Sequence, residues 1–133
     1  MQDTINNRLT VQASDSAVLE DASKAVQSWI EQTAEINPKE SASPNFLFDT
    51  NWEPPFKAIK KLSKEHPEAL FTLWGDAFSE NHWISKSVIQ AGKSEDWVVS
   101  IVDDSFESIF GEVYGQSYDQ WRSTKDRPFQ ALA

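Results

Sequence analysis

Apolar residues change their spacing several times along this chain, and this change of period constrains the fold more than any other feature. Near the start, Leu9 and Val11 lie on one face of a strand pattern, with polar residues on the other face. A Ser-Asp-Ser sequence that can cap a helix follows, and then apolar residues recur at every third or fourth position. We therefore expect a strand over residues 5–11 and a helix over residues 16–32.

The rest of the chain continues to alternate between the two periods. Residues 33–45 contain two prolines and little periodicity, which predicts a loop. Two prolines at 54–55 favour a helix start, Pro67 favours its end, and Gly75 is expected to break the strand before it. A Gly-containing turn at 91–94 predicts a hairpin. The predicted later elements are strands over residues 46–52, 70–74, 83–91 and 96–102 and helices over residues 55–66 and 106–114.

This order, β-α-β-α-β-β-β-α, predicts an α+β fold, in which helices pack on one mostly antiparallel sheet. The strand at 96–102 is almost continuously apolar, which is typical of a strand covered on both faces. The strand at 83–91 is a possible self-association edge, so we expect a monomer or a homodimer. We expect a single domain over residues 1–121 and a flexible tail over residues 122–133.

Negative charge is concentrated in the second half of the chain. The protein has 21 acidic and 12 basic side chains, a net charge of −9, and residues 67–121 have ten acidic side chains against only Lys86 and Lys93. Such a field repels nucleic acid and attracts basic surfaces. Acidity that merely keeps a Trp-rich protein in solution is the simpler interpretation. The ten acidic residues are Glu68, Asp76, Glu80, Glu95, Asp96, Asp103, Asp104, Glu107, Glu112 and Asp119.

Three stretches of the chain are similar to one known family. They are Asn-Asn-Arg-Leu-Thr-Val at 6–11, Phe-Asp-Thr-Asn-Trp-Glu-Pro-Pro at 48–55 and Leu-Phe-Thr-Leu at 70–73. Together they resemble the YubB-type ferredoxin-like domain of uncharacterised proteins from bacterial plasmids, phages and other mobile elements. The resemblance implies a ferredoxin-like fold and a mobile-element origin, and it implies no catalytic site.

The sequence offers little for catalysis or for metal binding. Cysteine is absent, and the two histidines, His66 and His82, have no partner at helical spacing that would form a zinc site. The adjacent acids at 95–96 and 103–104 would need one shared cleft to act as an acid–base pair, and a helix-capping role already explains Asp104. Neither a nucleophile elbow nor a phosphate-binding glycine loop is present. We therefore expect a protein that is not an enzyme and that has no cofactor and no metal.

The expected location is the cytoplasm. The first 20 residues include four charged side chains and lack the apolar run of a signal peptide. No stretch approaches the roughly 18 apolar residues of a membrane span. We expect neither membrane association nor direct nucleic-acid binding.

The leading functional hypothesis is a phage or plasmid protein that inhibits a host defence complex, as an anti-CRISPR or anti-restriction protein. Its acidic surface would imitate nucleic acid and occupy a basic groove of the partner. A tryptophan bordered by acids could form a hot spot with Arg or Lys, although packing against the last helix is the simpler explanation. The predicted binding residues are Asp76, Glu80, Glu95, Asp96, Asp103, Asp104, Glu107, Glu112, Trp83 and Trp97.

Two alternatives remain open from the sequence. The first is an immunity protein or antitoxin that blocks a basic toxin enzyme. The second is a nucleic-acid-binding module that uses the lysine-rich face of the helix at 55–66, although such a face is usually only solvated. Its residues would be Lys57, Lys60, Lys61 and Lys64.

Overall fold

The computed structural model of the chain describes residues 4–33, 36–38, 43–51, 54–76, 83–100, 103 and 106–115. The elements are, in chain order, β1 (Thr4–Gln12), α1 (Ser16–Gln32), β2 (Asn37–Pro38), β3 (Asn45–Asn51), α2 (Phe56–Glu65), β4 (Leu70–Asp76), β5 (Trp83–Gln90), β6 (Lys93–Ser100) and α3 (Phe106–Tyr114).

Some of the sequence predictions concern positions outside the described residues. These are Trp52, Glu80, His82, Asp104, Asp119, the end of the predicted strand at 101–102, and the predicted tail at 122–133.

Local signals account for the positions of α1 and α2. Asp15 caps α1, because its Oδ1 accepts hydrogen bonds from the backbone N–H groups of Ala17 and Val18, at 2.8 and 3.4 Å. The apolar stripe of α1 is buried at Val26 and Ile30, as its spacing predicts. Helix α2 begins directly after two prolines and ends two residues before Pro67.

Six strands form one sheet in the order β2-β3-β1-β4-β5-β6, and every neighbouring pair is antiparallel. Because β3 and β4 both run antiparallel to β1, they are parallel to each other. Strand β3, helix α2 and strand β4 therefore form a split β-α-β unit with β1 between its strands. The predicted ferredoxin-like α+β fold is confirmed.

Helices cover both faces of the sheet. Helices α1 and α2 pack on one face, and α3 packs on the other, mainly over β4, β5 and β6. The larger cluster, under α1 and α2, includes Leu9, Val11, Ala22, Val26, Ile30, Phe46, Phe48, Ile59, Phe71, Leu73 and Ile89. The smaller cluster, under α3, consists of Trp74, Ile84, Val99, Phe106, Ile109 and Phe110.

The sequence predicted that Gly75 breaks the strand before it, and this prediction is wrong. Strand β4 continues through Gly75 to Asp76. The reason is a close approach rather than a turn. A Cβ atom added at Gly75 would lie 2.6 Å from Cγ of Pro54 and 3.0 Å from Oγ of Ser85. The missing side chain therefore makes room for the proline ring that precedes α2, and the ladder is unaffected.

Two further predictions are wrong at the edges of the sheet. The stretch predicted as a loop at 33–45 includes the short edge strand β2. The strand predicted at 96–102 begins at Lys93, and it is an edge strand rather than one covered on both faces. Strand β5 pairs with both β4 and β6, so the possible association edge lies at β6. The turn between β5 and β6 has φ values of 52° at Ala91 and 81° at Gly92, which suit a two-residue hairpin.

Candidate protein-binding surface

The most exposed part of the sheet is the middle of β6. Four consecutive side chains, at residues 95–98, are exposed to solvent. Trp97 is 39% exposed and Val98 is 66% exposed, and within the described ranges these are the two exposed large apolar side chains. Large apolar groups at an open strand edge are unusual unless they contact a partner.

Two of these four residues are acids that lie on opposite faces of the sheet. Glu95 is opposite Val88, on the face that α3 covers, and Asp96 is opposite Ser87, on the face that α1 and α2 cover. In an inner strand this alternation would separate the two carboxylates into different layers. At the edge both of them reach solvent, and Asp96 is additionally held by a 2.9 Å hydrogen bond from the Ser94 hydroxyl.

Two further exposed acids, Asp103 and Glu107, follow β6 along the chain. The backbone N–H of Ser100 donates a 2.6 Å hydrogen bond to Oδ2 of Asp103, and the N–H of Phe106 donates to the Asp103 carbonyl at 3.1 Å. Glu107 is exposed in the first turn of α3, where the helix dipole favours a negative charge. We call the exposed acids Glu95, Asp96, Asp103 and Glu107 the acidic edge.

A row of cationic and aromatic side chains crosses the face that α3 partly covers. Directly opposite residues on neighbouring strands share a face, and this register aligns Arg8, Trp74, Lys86 and Trp97. The Cζ atom of Arg8 lies 5.2 Å from the ring centroid of Trp74, and Nζ of Lys86 lies 5.7 Å from that of Trp97. Both distances are typical of cation–π contacts. Removal of water by burial lowers the pKa of Arg8 from its ordinary value.

A lysine of the same row reduces the negative charge that one predicted acid adds to the surface. Lys86 forms an ion pair with Glu112 at the protein surface, so part of the negative charge of Glu112 is offset by this lysine. Because Lys86 also lies over Trp97, the ring of this exposed tryptophan already has one cation beside it. A partner would therefore contact Trp97 mainly through its remaining apolar surface.

One predicted binding residue is not at the surface at all. Asp76 is only 1% exposed, because it ends the inner strand β4 on the face covered by α3, opposite Asn6 and Ile84. Its assignment to an acidic binding surface is wrong. Trp83 is half-buried at the start of β5, whereas Trp97 is exposed.

The lysine-rich face of α2 lies next to one end of β6. Lys57, Lys61 and Lys64 are exposed, and Lys60 is half-buried. The side chain of Lys64 runs along the β5–β6 turn, where a Cβ atom added at Gly92 would lie 2.7 Å from its Cγ and Cε. Charge along β6 therefore changes from basic at the turn to acidic at the middle of the strand.

The described part of the chain offers no metal-binding group of three or more His, Asp or Glu side chains. Among the same residues, none of the helices is long and apolar enough to cross a membrane. Polar atoms that are buried without a hydrogen-bonding partner there include the hydroxyls of Ser85 and Ser87 and Nε1 of Trp74. Ser85 and Ser87 lie on the face of the sheet that α1 and α2 cover, whereas Trp74 lies on the face that α3 covers.

A comparison of the chain with protein-family models, with curated proteins and with solved structures gives no match. The resemblance to the YubB-type domain therefore stays a prediction.

The sequence prediction of a binding surface includes Glu95, Asp96 and Trp97, all of which are exposed, but it does not include Val98. The run Trp-Val-Val at 97–99 is typical of a covered strand, and only the strand order reveals that β6 is an edge. The row formed by Arg8, Trp74, Lys86 and Trp97 was also missed. It depends on the register of three separate strand pairs, which no local pattern specifies.

Proposed function

We propose that this protein is a non-enzymatic inhibitor that binds a nucleic-acid-handling defence protein through β6 and the acidic edge. In the most concrete form of the proposal, the partner is a restriction enzyme or an RNA-guided nuclease. The protein would occupy the basic groove that normally receives DNA or RNA. The choice of a defence complex depends on the resemblance to a mobile-element family, and the choice of surface depends on the geometry of β6.

The single observation that carries the proposal is the exposure of residues 95–98 on an edge strand. Two carboxylates and two large apolar side chains are adjacent there, and both kinds of group suit a protein interface. Apolar side chains such as Val98 would contribute affinity by leaving water. The carboxylates would select a basic surface and accelerate association, more strongly at low salt.

Phosphate imitation requires several negative charges that project from one rigid support. Glu95 and Asp96 project from the paired strand β6, and Asp103 is fixed by its hydrogen bond from the Ser100 N–H. Glu107 projects from α3, which the apolar cluster attaches to the sheet. The acidic edge is therefore preorganised, so little conformational entropy would be lost when it binds.

The test is a DNA-cleavage assay in which purified restriction enzymes and RNA-guided nucleases are each titrated with the protein. We expect stoichiometric inhibition of at least one nuclease, with an apparent affinity that weakens as salt increases. The double variant Glu95→Lys with Asp96→Lys should weaken inhibition by at least about tenfold, because it places like charges against a basic groove. The control is Glu31→Lys, which reverses an exposed charge on α1, away from β6.

Two results would count against the proposal. If none of the nucleases is bound or inhibited, an inhibitory function toward these two classes is rejected. If a nuclease is inhibited but the β6 variant and the Glu31→Lys control behave alike, the acidic edge is not the binding surface.

A further inference from the structure

The two edges of the sheet differ in how well they are protected from pairing with another strand. Strand β2 is two residues long and includes Pro38, which has no N–H group to donate. Strand β6 has eight residues, and none of them is proline. Short edge strands, prolines and charged side chains are common protections against edge pairing, and of these β6 has only the charges, at Lys93, Glu95 and Asp96.

Among the described residues, β6 pairs on one side only, with β5. On its other side, next to the exposed side chains, the backbone of β6 pairs with no strand in the described ranges. On one face of the sheet Glu95 is followed by Trp97, and on the other face Asp96 is followed by Val98. Each face thus has one acidic and one apolar position along the open edge.

We infer, on the basis of the proposed function, that the partner contributes an extended basic segment that adds to β6 as a seventh strand. Antiparallel addition continues the pattern of every other pair in this sheet. Directly opposite side chains then share a face, so the partner needs apolar residues opposite Val98 and Trp97 and basic residues opposite Asp96 and Glu95. Read from its N-terminus, the segment has the order apolar-apolar-basic-basic.

A second copy of this chain fits the same edge less well. If two β6 strands paired antiparallel around the middle of the strand, Asp96 of each copy would lie opposite Trp97 of the other, and Glu95 opposite Val98. None of the four carboxylates would then gain a cation as its cross-strand partner. Charge complementarity therefore favours a basic partner segment over self-pairing.

The experiment uses the full-length protein and two short synthetic peptides of identical composition. The first has Val-Tyr-Lys-Lys at its centre between threonines, and the second has the reversed order Lys-Lys-Tyr-Val. Binding is measured by calorimetry, and amide hydrogen exchange locates the contact. We expect the first peptide to bind about tenfold more tightly than the second, since four cross-strand pairs are matched in one order and mismatched in the other. New exchange protection should be confined to β6.

The variants give a second readout for the same complex. Glu95→Lys with Asp96→Lys should remove the preference for the first peptide, and Glu31→Lys should leave it unchanged. Equal binding of the two peptides, or protection that lies outside β6, would overturn the inference. Sedimentation experiments test for a homodimer. A homodimer that dissociates in Val98→Lys, and that the peptides do not displace, would show that a second copy occupies the edge instead.

The outcomes also separate this inference from the proposed function. Nuclease inhibition that depends on the acidic edge, without a preference for either peptide, would leave the proposed function intact and reject strand addition. A clear preference for the first peptide without inhibition of any nuclease would support strand addition and reject the proposed function.

Discussion

Two glycine-to-alanine substitutions, at Gly75 and at Gly111, should change the free energy of unfolding in opposite directions. In Gly75→Ala, the new Cβ would lie 2.6 Å from Cγ of Pro54, far inside ordinary van der Waals contact. The ring of Pro54 is rigid and buried, and the backbone at the start of α2 fixes its position. In Gly111→Ala, the new Cβ has nothing within 4 Å.

The expected magnitudes follow from these two environments. Overpacking of a buried site costs about 1–3 kcal/mol, and the replacement of a strand glycine returns roughly 0.5–1 kcal/mol. Gly75→Ala should therefore lower the free energy of unfolding by about 1–2 kcal/mol. Gly111 lies inside α3, so its replacement by Ala should raise the free energy of unfolding by about 1 kcal/mol. The two variants should differ by about 2–3 kcal/mol.

The assay is equilibrium unfolding in urea, followed by the fluorescence of the six tryptophans. A thermal melt provides a second measure, at about 4 °C per kcal/mol for a domain of this size. In the Gly75→Ala variant, a second substitution, Pro54→Ala, should recover part of the lost unfolding free energy, since it removes the Cγ atom that causes the clash. If Gly75→Ala is as stable as the natural sequence while Gly111→Ala shows its expected gain, Pro54 does not exclude a side chain at position 75.

The remaining predictions concern single polar contacts. Asp15→Ala should lower the free energy of unfolding by about 1 kcal/mol in a urea titration, while Asp15→Asn keeps the α1 cap. Ser63→Ala should lower the free energy of unfolding by about 1–2 kcal/mol, because the Ser63 hydroxyl accepts a 2.9 Å hydrogen bond from the Gly92 N–H. Ser87→Ala removes a buried hydroxyl that has no partner among the described residues, so it should leave the free energy of unfolding unchanged in the same assay. Lys86→Met breaks a partly exposed ion pair, so unfolding at low and high salt should show a loss below about 1 kcal/mol.

Features that depend on neighbouring residues were predictable from the sequence. The predicted helix over residues 16–32 matches α1 at both ends, because a capping aspartate and a regular apolar stripe lie within one segment. The turn between β5 and β6 is equally local, since a glycine and a short polar loop specify it. The hydrophobic alternation of β1 also predicted which of its side chains are buried.

Features that depend on distant segments were not predictable. A glycine at the end of a strand pattern, such as Gly75, usually predicts a strand break. Its role in making room for the ring of Pro54 is visible only in the structure. Asp76 looks like any surface acid, and it is buried because β4 is an inner strand on the face that α3 covers. The exposure of Val98 likewise follows from strand order, which single-sequence patterns leave open.

The contrast between Asp76 and the acids of β6 shows why the net charge of a segment is a poor measure of a binding surface. Consecutive side chains of a strand point to opposite faces, so helices on both faces of an inner strand can bury an acid on either face, as happens at Asp76. An edge strand has the same alternation, yet both of its faces border water, and Glu95 and Asp96 can act together. Under the proposed function, the negative charge of residues 67–121 contributes to binding only where the fold exposes it, as it does at Glu95 and Asp96. This is why β6, rather than the whole acidic half of the chain, is the part from which affinity should arise.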